Sequence, residues 1–219
     1  MSELRDSLRA VAVAEMDADS AHDLAHLDRV WANALVIARA EGGADMNVLC
    51  AAAYMHDLVN LPKDAPDRAL ASSFAARAAA PHLAALGMAP GRVAATQHAI
   101  RAHSFSAGIP PETREARILR DADRLDALGA IGIARAFAVA GGLDRALYDA
   151  DDPFAAGRKP DDRAFALDHW PIKLLRLPEE MGTVTGREMA QARVATMRRF
   201  ARDLAVEIGH DADGWAEDA

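Results

Sequence analysis

The sequence predicts an all-α protein. Hydrophobic residues make up 51% of its 219 positions but aromatic residues only 5%, and the run Ala-Ala-Arg-Ala-Ala-Ala at residues 75–80 consists of strong helix formers. Apolar side chains recur three or four positions apart over long segments, as on one face of a helix, whereas no segment of the sequence shows the alternation typical of strands. We therefore expect a helical bundle.

The first third of the chain carries three helical patterns. Residues 2–16 have the apolar spacing of a helix that packs one face on a larger body. Residues 23–41 form a second pattern, which Gly42-Gly43 should terminate. Residues 45–58 are almost wholly apolar until His56-Asp57, which predicts a buried helix with a polar pair at its C-terminal end.

The rest of the chain contains further helices and one long irregular segment. Periodicity predicts four more helices: residues 67–86, 90–102, 112–140 and 185–208. We expect Pro81 to interrupt the first of them. Residues 141–167 lose the periodicity and collect Asp, Pro and Gly, so we expect a long mobile loop, a type of segment that often forms a lid.

Net charge and cysteine content limit the classes of protein to which the chain could belong. The formal net charge of -8 and the sequence pI near 5.4 argue against a protein that binds nucleic acid through its overall field, although a local basic pocket could hold phosphates. The single cysteine, Cys50, lies in an apolar run and is expected to be a buried, inert thiol. With no signal-peptide pattern and no long apolar span, we expect a cytoplasmic protein without a membrane partner. The sequence does not predict an oligomeric state.

Four polar residues stand out in or beside apolar helical segments: His26, His56, Asp57 and Asp123. Burying them unpaired would be costly, and a shared divalent cation would compensate all four. Imidazole binds first-row metals, whereas carboxylate also suits magnesium and manganese. Such a set leaves coordination positions for water and substrate, so metal-dependent hydrolysis is the leading hypothesis. For any one histidine alone, an ordinary core or surface role is the alternative.

The residues around these positions resemble a known family. The order His, His-Asp, Asp resembles the HD-domain metal-dependent phosphohydrolases, and three longer stretches resemble their bacterial YedJ/YpgQ branch: AHDLAHLDRV at 21–30, AIRAHSFSAGI at 99–109 and DADRLDALGAIG at 121–132. With residues 169–177 and the final helix, the resemblance covers nearly the whole chain. It implies one HD-type domain over residues 1–219, with its core at about 20–140, the mobile loop at 141–167 and C-terminal helices at 168–209 packed on that core.

Carried over one residue at a time, the family motif implies that His26, His56, Asp57 and Asp123 bind the metal. One divalent ion is expected, and manganese, magnesium, nickel, cobalt, iron and zinc all remain open. Some members of the superfamily hold a second metal with extra histidines. That pattern is matched only in part here.

The partial match to the second-metal pattern rests on a few positions. His103 falls near one of the extra histidines, whereas Ser72-Ser73 occupies the earlier position, and His82 and His98 are out of step with it. A single metal is therefore expected.

Two alternatives to the four ligands remain open. His22 shares a helical face with His26 and could also reach the metal. Asp121 competes with Asp123, which we prefer because its Asp-Arg-Leu context resembles the ligand position of other HD hydrolases. Asp121 would then support a ligand or cap a helix.

The resemblance also suggests catalytic residues. Asp57 could orient the attacking water or accept its proton, and His103 could contact a phosphate or protonate the leaving oxygen. Lys173, in a segment HWPIKLL that resembles one in the family, and Arg124 are expected to offset charge on the phosphate. Arg101 is a further candidate.

Each of these residues also has a structural interpretation. His103 could cap the preceding helix, Lys173 could be solvated, and Arg124 could pair with Asp57 or Asp126. Two tryptophans, Trp31 and Trp170, could stack on a base, although core positions are commoner for tryptophan.

The resemblance implies hydrolysis of a small-molecule nucleotide by a metal-activated water, with nucleoside or deoxynucleoside triphosphates as the leading substrates. Two alternatives remain: a non-catalytic helical module that binds metal or nucleotide for regulation, and a cyclic-nucleotide phosphodiesterase. The incomplete second-metal set argues against the phosphodiesterase.

Overall fold

The computed structural model describes residues 2–16, 23–61, 65–212 and 215, and it confirms the all-α prediction. His22, the alternative ligand, lies outside these residues. Nine α-helices occur in the described chain: α1 Ser2–Glu15, α2 Leu24–Glu41, α3 Met46–Met55, α4 Ala71–Ala85, α5 Pro90–His103, α6 Arg114–Leu125, α7 Gly129–Gly142, α8 His169–Ile172 and α9 Val184–Ile208. Two short 3-10 segments span Arg68–Leu70 and Leu174–Glu180.

The described residues form two compact units. The first contains the chain up to Asp123 together with Gly182–Thr185, and the second contains Arg124–Met181 and the residues from Gly186 onward. No single helix in the described ranges is both long and apolar enough to cross a bilayer, and only the consecutive helices α6 and α7, counted together, reach that length and composition.

Helix α3 is the centre of the first unit. All side chains from Val48 to Met55 are buried, and α3 packs against α1, α2, α4 and α5. Asp45 begins the helix by accepting hydrogen bonds from the backbone N–H groups of Asn47 (3.0 Å) and Val48 (3.3 Å). The helix ends at Met55, so His56-Asp57 follows a fully packed element, as the sequence predicts.

Cys50 lies on this buried helix. Its thiol is buried, and burial raises its pKa to about 12. The inert-thiol prediction is therefore confirmed.

Helix α2 also has clear ends. Asp23 caps its start by accepting from the backbone N–H of His26 at 2.8 Å. Gly42, with φ of +67°, takes the left-handed conformation that stops the helix and donates its N–H to the carbonyl of Ala38. The predicted boundaries of this helix are confirmed.

Two expectations about helix interruptions were wrong. Pro81 does not interrupt α4, which continues to Ala85; the ring restricts φ to a helical value, and the residue is exposed. Conversely, residues 112–140 form two helices. Leu128, between the two helices, is extended, and Gly129 at the start of α7 has φ of +70°, so neither residue continues α6.

The second unit packs around Trp170. Its ring lies 6.2 Å from Phe137, 5.9 Å from Phe200 and 6.2 Å from Trp215, measured between centroids. Trp170 is fully buried, and Trp31 in the first unit is also buried. The core interpretation of both tryptophans is confirmed.

The predicted irregular segment, residues 141–167, contains no extended strand, and only its first two residues are helical, as the end of α7. The rest of the segment is held by specific contacts. The backbone N–H groups of Ala166 and Leu167 donate to the carbonyls of Ala146 (2.9 Å) and Leu147 (3.0 Å). Arg158 forms a bidentate ion pair with the buried Asp168, in which its two terminal nitrogens each donate to one carboxylate oxygen. The mobility of this loop and its action as a lid stay predictions.

Candidate metal centre

Four side chains that the sequence singled out converge in the first unit. His26 Nε2 lies 3.3 Å from His56 Nε2, 3.6 Å from Asp57 Oδ2 and 3.5 Å from Asp123 Oδ1. His56 Nε2 lies 3.4 Å from Asp57 Oδ2 and 3.8 Å from Asp123 Oδ1. We call these four residues the HD cluster. Residues far apart in sequence thus bring two nitrogens and two oxygens to one point.

Three helices position the HD cluster: α2 carries His26, α3 ends directly before His56-Asp57, and α6 carries Asp123. His26 lies in the first turn of α2, where the Asp23 cap fixes the backbone. Asp123 lies in the last turn of α6, and Asn33 on α2 donates to the carbonyl of the preceding Ala122 at 3.2 Å. This hydrogen bond ties the helix of one candidate ligand to the helix of another.

The orientation of His56 is set by its own backbone. Its Nδ1 lies 3.0 Å from the carbonyl oxygen of Ala53, which can only accept a hydrogen bond. Nδ1 therefore carries the proton, and in the neutral ring Nε2 has a lone pair directed at the cluster. Metal-binding histidines in proteins are oriented in the same way by a carbonyl or carboxylate behind the ring.

Burial differs between the two residue types. His26 and His56 are buried, whereas the side chains of Asp57 and Asp123 are 17% and 29% exposed. The carboxylates are thus the members of the cluster that solvent reaches.

The electrostatics of the HD cluster favour positive charge. Burial opposes protonation of His56, but Asp57 and Asp123 outweigh it and raise the pKa of its imidazole. Burial likewise opposes ionisation of Asp123, but the hydrogen bond and charge of His56 outweigh it and hold the pKa of the carboxyl below its usual range. A cation at the centre would satisfy the same groups.

The donor geometry fits a divalent cation. Ligand distances of about 2.1 Å separate two ligands of one ion by about 3.0 Å in octahedral and about 3.4 Å in tetrahedral geometry. The distances between His26, His56 and the two carboxylates run from 3.3 to 3.8 Å, close to that range. Nitrogen and oxygen donors together suit zinc, iron, nickel, cobalt and manganese.

His103 is the fifth residue at this site. It ends α5, its Nδ1–H donates to the carbonyl of Ile100, and its Nε2 lies 3.9 Å from Asp57 Oδ1. The ring meets that of His56 edge to face, with centroids 4.8 Å apart. Burial, followed by the charge of His56, lowers its pKa. His56, Asp57 and His103 form a second possible donor set that overlaps the first, so expecting one metal stays a prediction.

Asp121 has a different role from Asp123. Its carboxylate accepts hydrogen bonds from the backbone N–H groups of Gly182 (2.9 Å) and Thr183 (2.8 Å) and from the Thr183 hydroxyl (2.7 Å). Burial raises its pKa, although these hydrogen bonds act in the opposite direction. Asp121 therefore fixes the residues that lead into α9, while Asp123 faces the histidines.

The residues considered for a second metal have other partners. His82 lies 3.9 Å from Glu15, and His98 accepts from the backbone N–H of Glu112 at 3.1 Å. Ser72 donates to the carbonyl of Arg101 at 3.1 Å. These contacts agree with the view that the second-metal pattern is incomplete.

Arg124 and Lys173 belong to the second unit. Arg124 donates to the backbone carbonyl of Glu180 at 2.8 Å and lies 3.4 Å from its carboxylate, and Asp126 pairs with Arg135. Lys173 is exposed between α8 and the following 3-10 segment. Their action on a phosphate stays a prediction.

The sequence analysis missed the groups that orient the candidate ligands. Asp23 gave a readable signal, because an Asp directly before an apolar helical pattern is typical of an N-cap. The carbonyl of Ala53 and the Thr183 partner of Asp121 gave none, because both contacts depend on tertiary packing.

Comparison with known proteins agrees with this geometry. The HD domain family matches residues 23–128. The uncharacterized protein YpgQ of Bacillus subtilis is 35% identical over 202 residues, which are 90% of each protein. The crystal structure of YpgQ in complex with ADP has a TM-score of 0.71 and 31% identity and covers 94% of this chain and 95% of that chain.

A structure described as an HD-superfamily hydrolase, from Bacillus thuringiensis, has a TM-score of 0.74 and 27% identity. The match covers 96% of this chain and 99% of that chain. The sequence relative and the structural matches span nearly the full length of the chain, and the HD family's matched range includes all four residues of the HD cluster. The chain therefore belongs to the HD-domain superfamily of metal-dependent phosphohydrolases.

Proposed function

We propose that the protein hydrolyses nucleotides, with nucleoside or deoxynucleoside triphosphates as its main substrates. The observation that carries this proposal is that His26 Nε2 and His56 Nε2 lie 3.3 Å apart and that a carboxylate oxygen of Asp57 and one of Asp123 each lie within 3.8 Å of both nitrogens. The relative YpgQ has been crystallised with ADP, which supports a nucleotide as the ligand class.

The HD cluster would hold one divalent cation. Such an ion lowers the pKa of a water that it binds and polarises a phosphoryl oxygen. Because both histidines are buried and both carboxylates are partly exposed, the substrate phosphate would approach from the carboxylate side.

Asp57 is placed to act on the attacking water. Its Oδ2 faces the two histidines, whereas its Oδ1 lies on the side of His103. One carboxylate can thus contribute to the cation site and, through its other oxygen, orient a water or accept its proton.

His103 would take part in proton transfer. Its lowered pKa favours the neutral ring near pH 7, and because Nδ1–H is engaged with Ile100, Nε2 can accept a proton on the side of Asp57. A proton accepted there could then pass to the leaving phosphate oxygen.

Cationic side chains would offset the charge that develops on the phosphates. Lys173 and Arg124 are the first candidates and Arg101 is the third, on the basis of the family resemblance and of their charge. We also expect a cytoplasmic setting, in keeping with a nucleotide substrate and a single reduced cysteine, Cys50.

A nucleotide panel tests this proposal. Purified protein would be incubated with manganese, magnesium, cobalt or nickel and a set of ribo- and deoxyribonucleoside triphosphates, cyclic nucleotides and cyclic dinucleotides, and the products would be separated as phosphate or pyrophosphate. We expect metal-dependent turnover of triphosphates that Asp57→Ala abolishes. The matched control is His82→Ala, a histidine outside the HD cluster, which should retain turnover.

Two results would overturn the proposal. Hydrolysis of cyclic nucleotides alone would favour the phosphodiesterase. Metal and nucleotide binding without turnover of any compound would favour a regulatory module.

A further inference from the structure

Phe105 differs from the other aromatic residues of the chain. The sequence contains six Phe, two Tyr and three Trp, and all of them lie in the described ranges. Ten are buried or partly buried, whereas the Phe105 side chain is 67% exposed. Phe105 is thus the only aromatic residue among the described residues whose side chain is mostly exposed.

Phe105 is close in sequence to a residue of the candidate site, His103. It follows His103 by two positions, so the two Cα atoms are at most about 7.6 Å apart. His103 Nε2 lies 3.9 Å from Asp57 Oδ1, which connects this end of α5 directly to the cluster. The exposed ring is therefore carried by the segment that leaves the candidate catalytic site.

The backbone around Phe105 is defined by a tight turn. Ser104 is extended, with φ of -70° and ψ of 128°, and ends α5. The backbone N–H of Gly108 donates to the carbonyl of Phe105 at 3.3 Å, and Gly108 has φ of +64°, a conformation that glycine adopts at low cost. The turn fixes the point from which the ring extends.

The two tryptophans that could have stacked on a base, Trp31 and Trp170, are buried. Trp170 packs among Phe137, Phe200 and Trp215, and Trp31 is in the core of the first unit. A nucleotide whose phosphates lie at the HD cluster must place its base outside this polar site. The segment that follows His103 carries an exposed aromatic ring, a side chain of the type that stacks on bases.

We propose that Phe105 is the stacking platform for the nucleobase of the substrate. This inference rests on the proposed function and names how the same site recognises its substrate. Stacking uses the face of the base and not its hydrogen-bonding edge, so it accepts all bases. We therefore expect broad base tolerance, with purines favoured over pyrimidines because their faces are larger.

The test compares substrates with and without a base. Kinetics would be measured with ATP and with inorganic tripolyphosphate, which has the same phosphoanhydride bonds and no base, for the wild type, Phe105→Ala and Phe105→Trp. For Phe105→Ala we expect the ratio of kcat/KM for ATP to that for tripolyphosphate to fall about tenfold, mainly through KM. Phe105→Trp should keep the ratio within about twofold, since indole also stacks.

A matched control and a direct signal complete the design. Val36 is also exposed and lies ten residues beyond His26 on α2, about 15 Å along the helix axis, so Val36→Ala should leave the ratio unchanged. Binding of the fluorescent nucleotide etheno-ATP reports stacking as quenching of its base, and this measurement does not need turnover. Circular dichroism would verify that the variants are folded.

The outcomes separate the two proposals. Equal losses on ATP and tripolyphosphate, or no loss on either, would overturn the stacking role of Phe105. If no nucleotide is hydrolysed, the proposed function fails, and the quenching of etheno-ATP still decides whether Phe105 contacts the base: quenching retained in Phe105→Ala overturns the inference.

Discussion

His26 Nε2 and His56 Nε2 lie 3.3 Å apart, although the two residues are separated by thirty positions. Because Nδ1–H of His56 is engaged with the carbonyl of Ala53, a neutral His56 directs a lone pair at His26. Two carboxylate oxygens lie within 3.8 Å of the same nitrogens. This concentration of lone pairs is unfavourable unless a proton or a metal ion lies among them.

Metal binding should therefore stabilise the first unit. We expect manganese to raise the Tm of the wild type and a chelator to lower it. An ion that binds only the folded state adds about 2.7 kcal/mol to the free energy of unfolding when its free concentration is 100 times its Kd. In His56→Ala the manganese shift should disappear. Differential scanning calorimetry at several manganese concentrations would measure it.

The matched control for metal binding is His82→Ala, since His82 pairs with Glu15 and not with the HD cluster. Its manganese shift should equal that of the wild type. An undiminished shift in His56→Ala would mean that the ion stabilises the protein at another site.

Asp121 and Asp123 should respond differently to the same change. Asp123→Asn removes a charge that faces both histidines, so we expect loss of bound metal and a fall in kcat of at least about 10²-fold. Asp121→Asn should retain the metal but lower the free energy of unfolding by roughly 1–3 kcal/mol, because an amide cannot accept all three hydrogen bonds from Gly182 and Thr183.

Metal content by mass spectrometry and urea unfolding would distinguish these two variants. If Asp121→Asn lost the metal and Asp123→Asn kept it, the assignment of the ligand would have to be reversed.

The sequence could predict that one of these aspartates faces the cluster but not which one by periodicity alone. Residues two apart on a helix point in different directions, so only one of the pair can face a given site. The rotation of α6 that selects Asp123 depends on tertiary contacts such as the hydrogen bond from Asn33 to the carbonyl of Ala122. The family context supplied the choice that local pattern left open.

The break between α6 and α7 could not be predicted in the same way. Leu125, Leu128 and Ile131 continue the apolar spacing of a helix through the break. α6 nevertheless ends at Leu125, and the extended Leu128 and the positive φ of Gly129 separate it from α7. Glycine is compatible with both outcomes, so the break became visible only in the structure.

His103 should affect catalysis more than metal binding. Its Nε2 lies 3.9 Å from Asp57 Oδ1, on the opposite oxygen from the one that faces His26 and His56. For His103→Gln we expect kcat to fall roughly 10²-fold or more, as for loss of a proton-transfer group, with the metal retained.

The pH dependence of kcat would distinguish a proton-transfer role of His103 from a structural one. The variant should lose one limb of the wild-type pH profile. Loss of metal in His103→Gln would instead assign His103 to the second donor set with His56 and Asp57.

Asp45 should make α3, and hence the position of His56-Asp57, sensitive to acid. Burial alone would raise the pKa of Asp45, but Arg92 at 2.8 Å and the N–H groups of Asn47 and Val48 outweigh it, so the pKa lies below 3.8. The stabilisation is therefore complete above about pH 4 and is lost as the pH falls through the lowered value.

Two variants distinguish the contribution of the Asp45 charge to stability from that of its N-cap hydrogen bonds. Asp45→Ala should destabilise α3 by about 0.5–2 kcal/mol at pH 7, the usual cost of losing an N-cap. Asp45→Asn keeps an acceptor for the backbone and should cost less, and its difference from the wild type should shrink as the pH falls below 3.8. Hydrogen exchange of the amides of Asn47 and Val48 between pH 3 and pH 6 would measure this difference in stability. If the difference between Asp45→Asn and the wild type stayed constant over that range, the ionised carboxylate would not stabilise the helix.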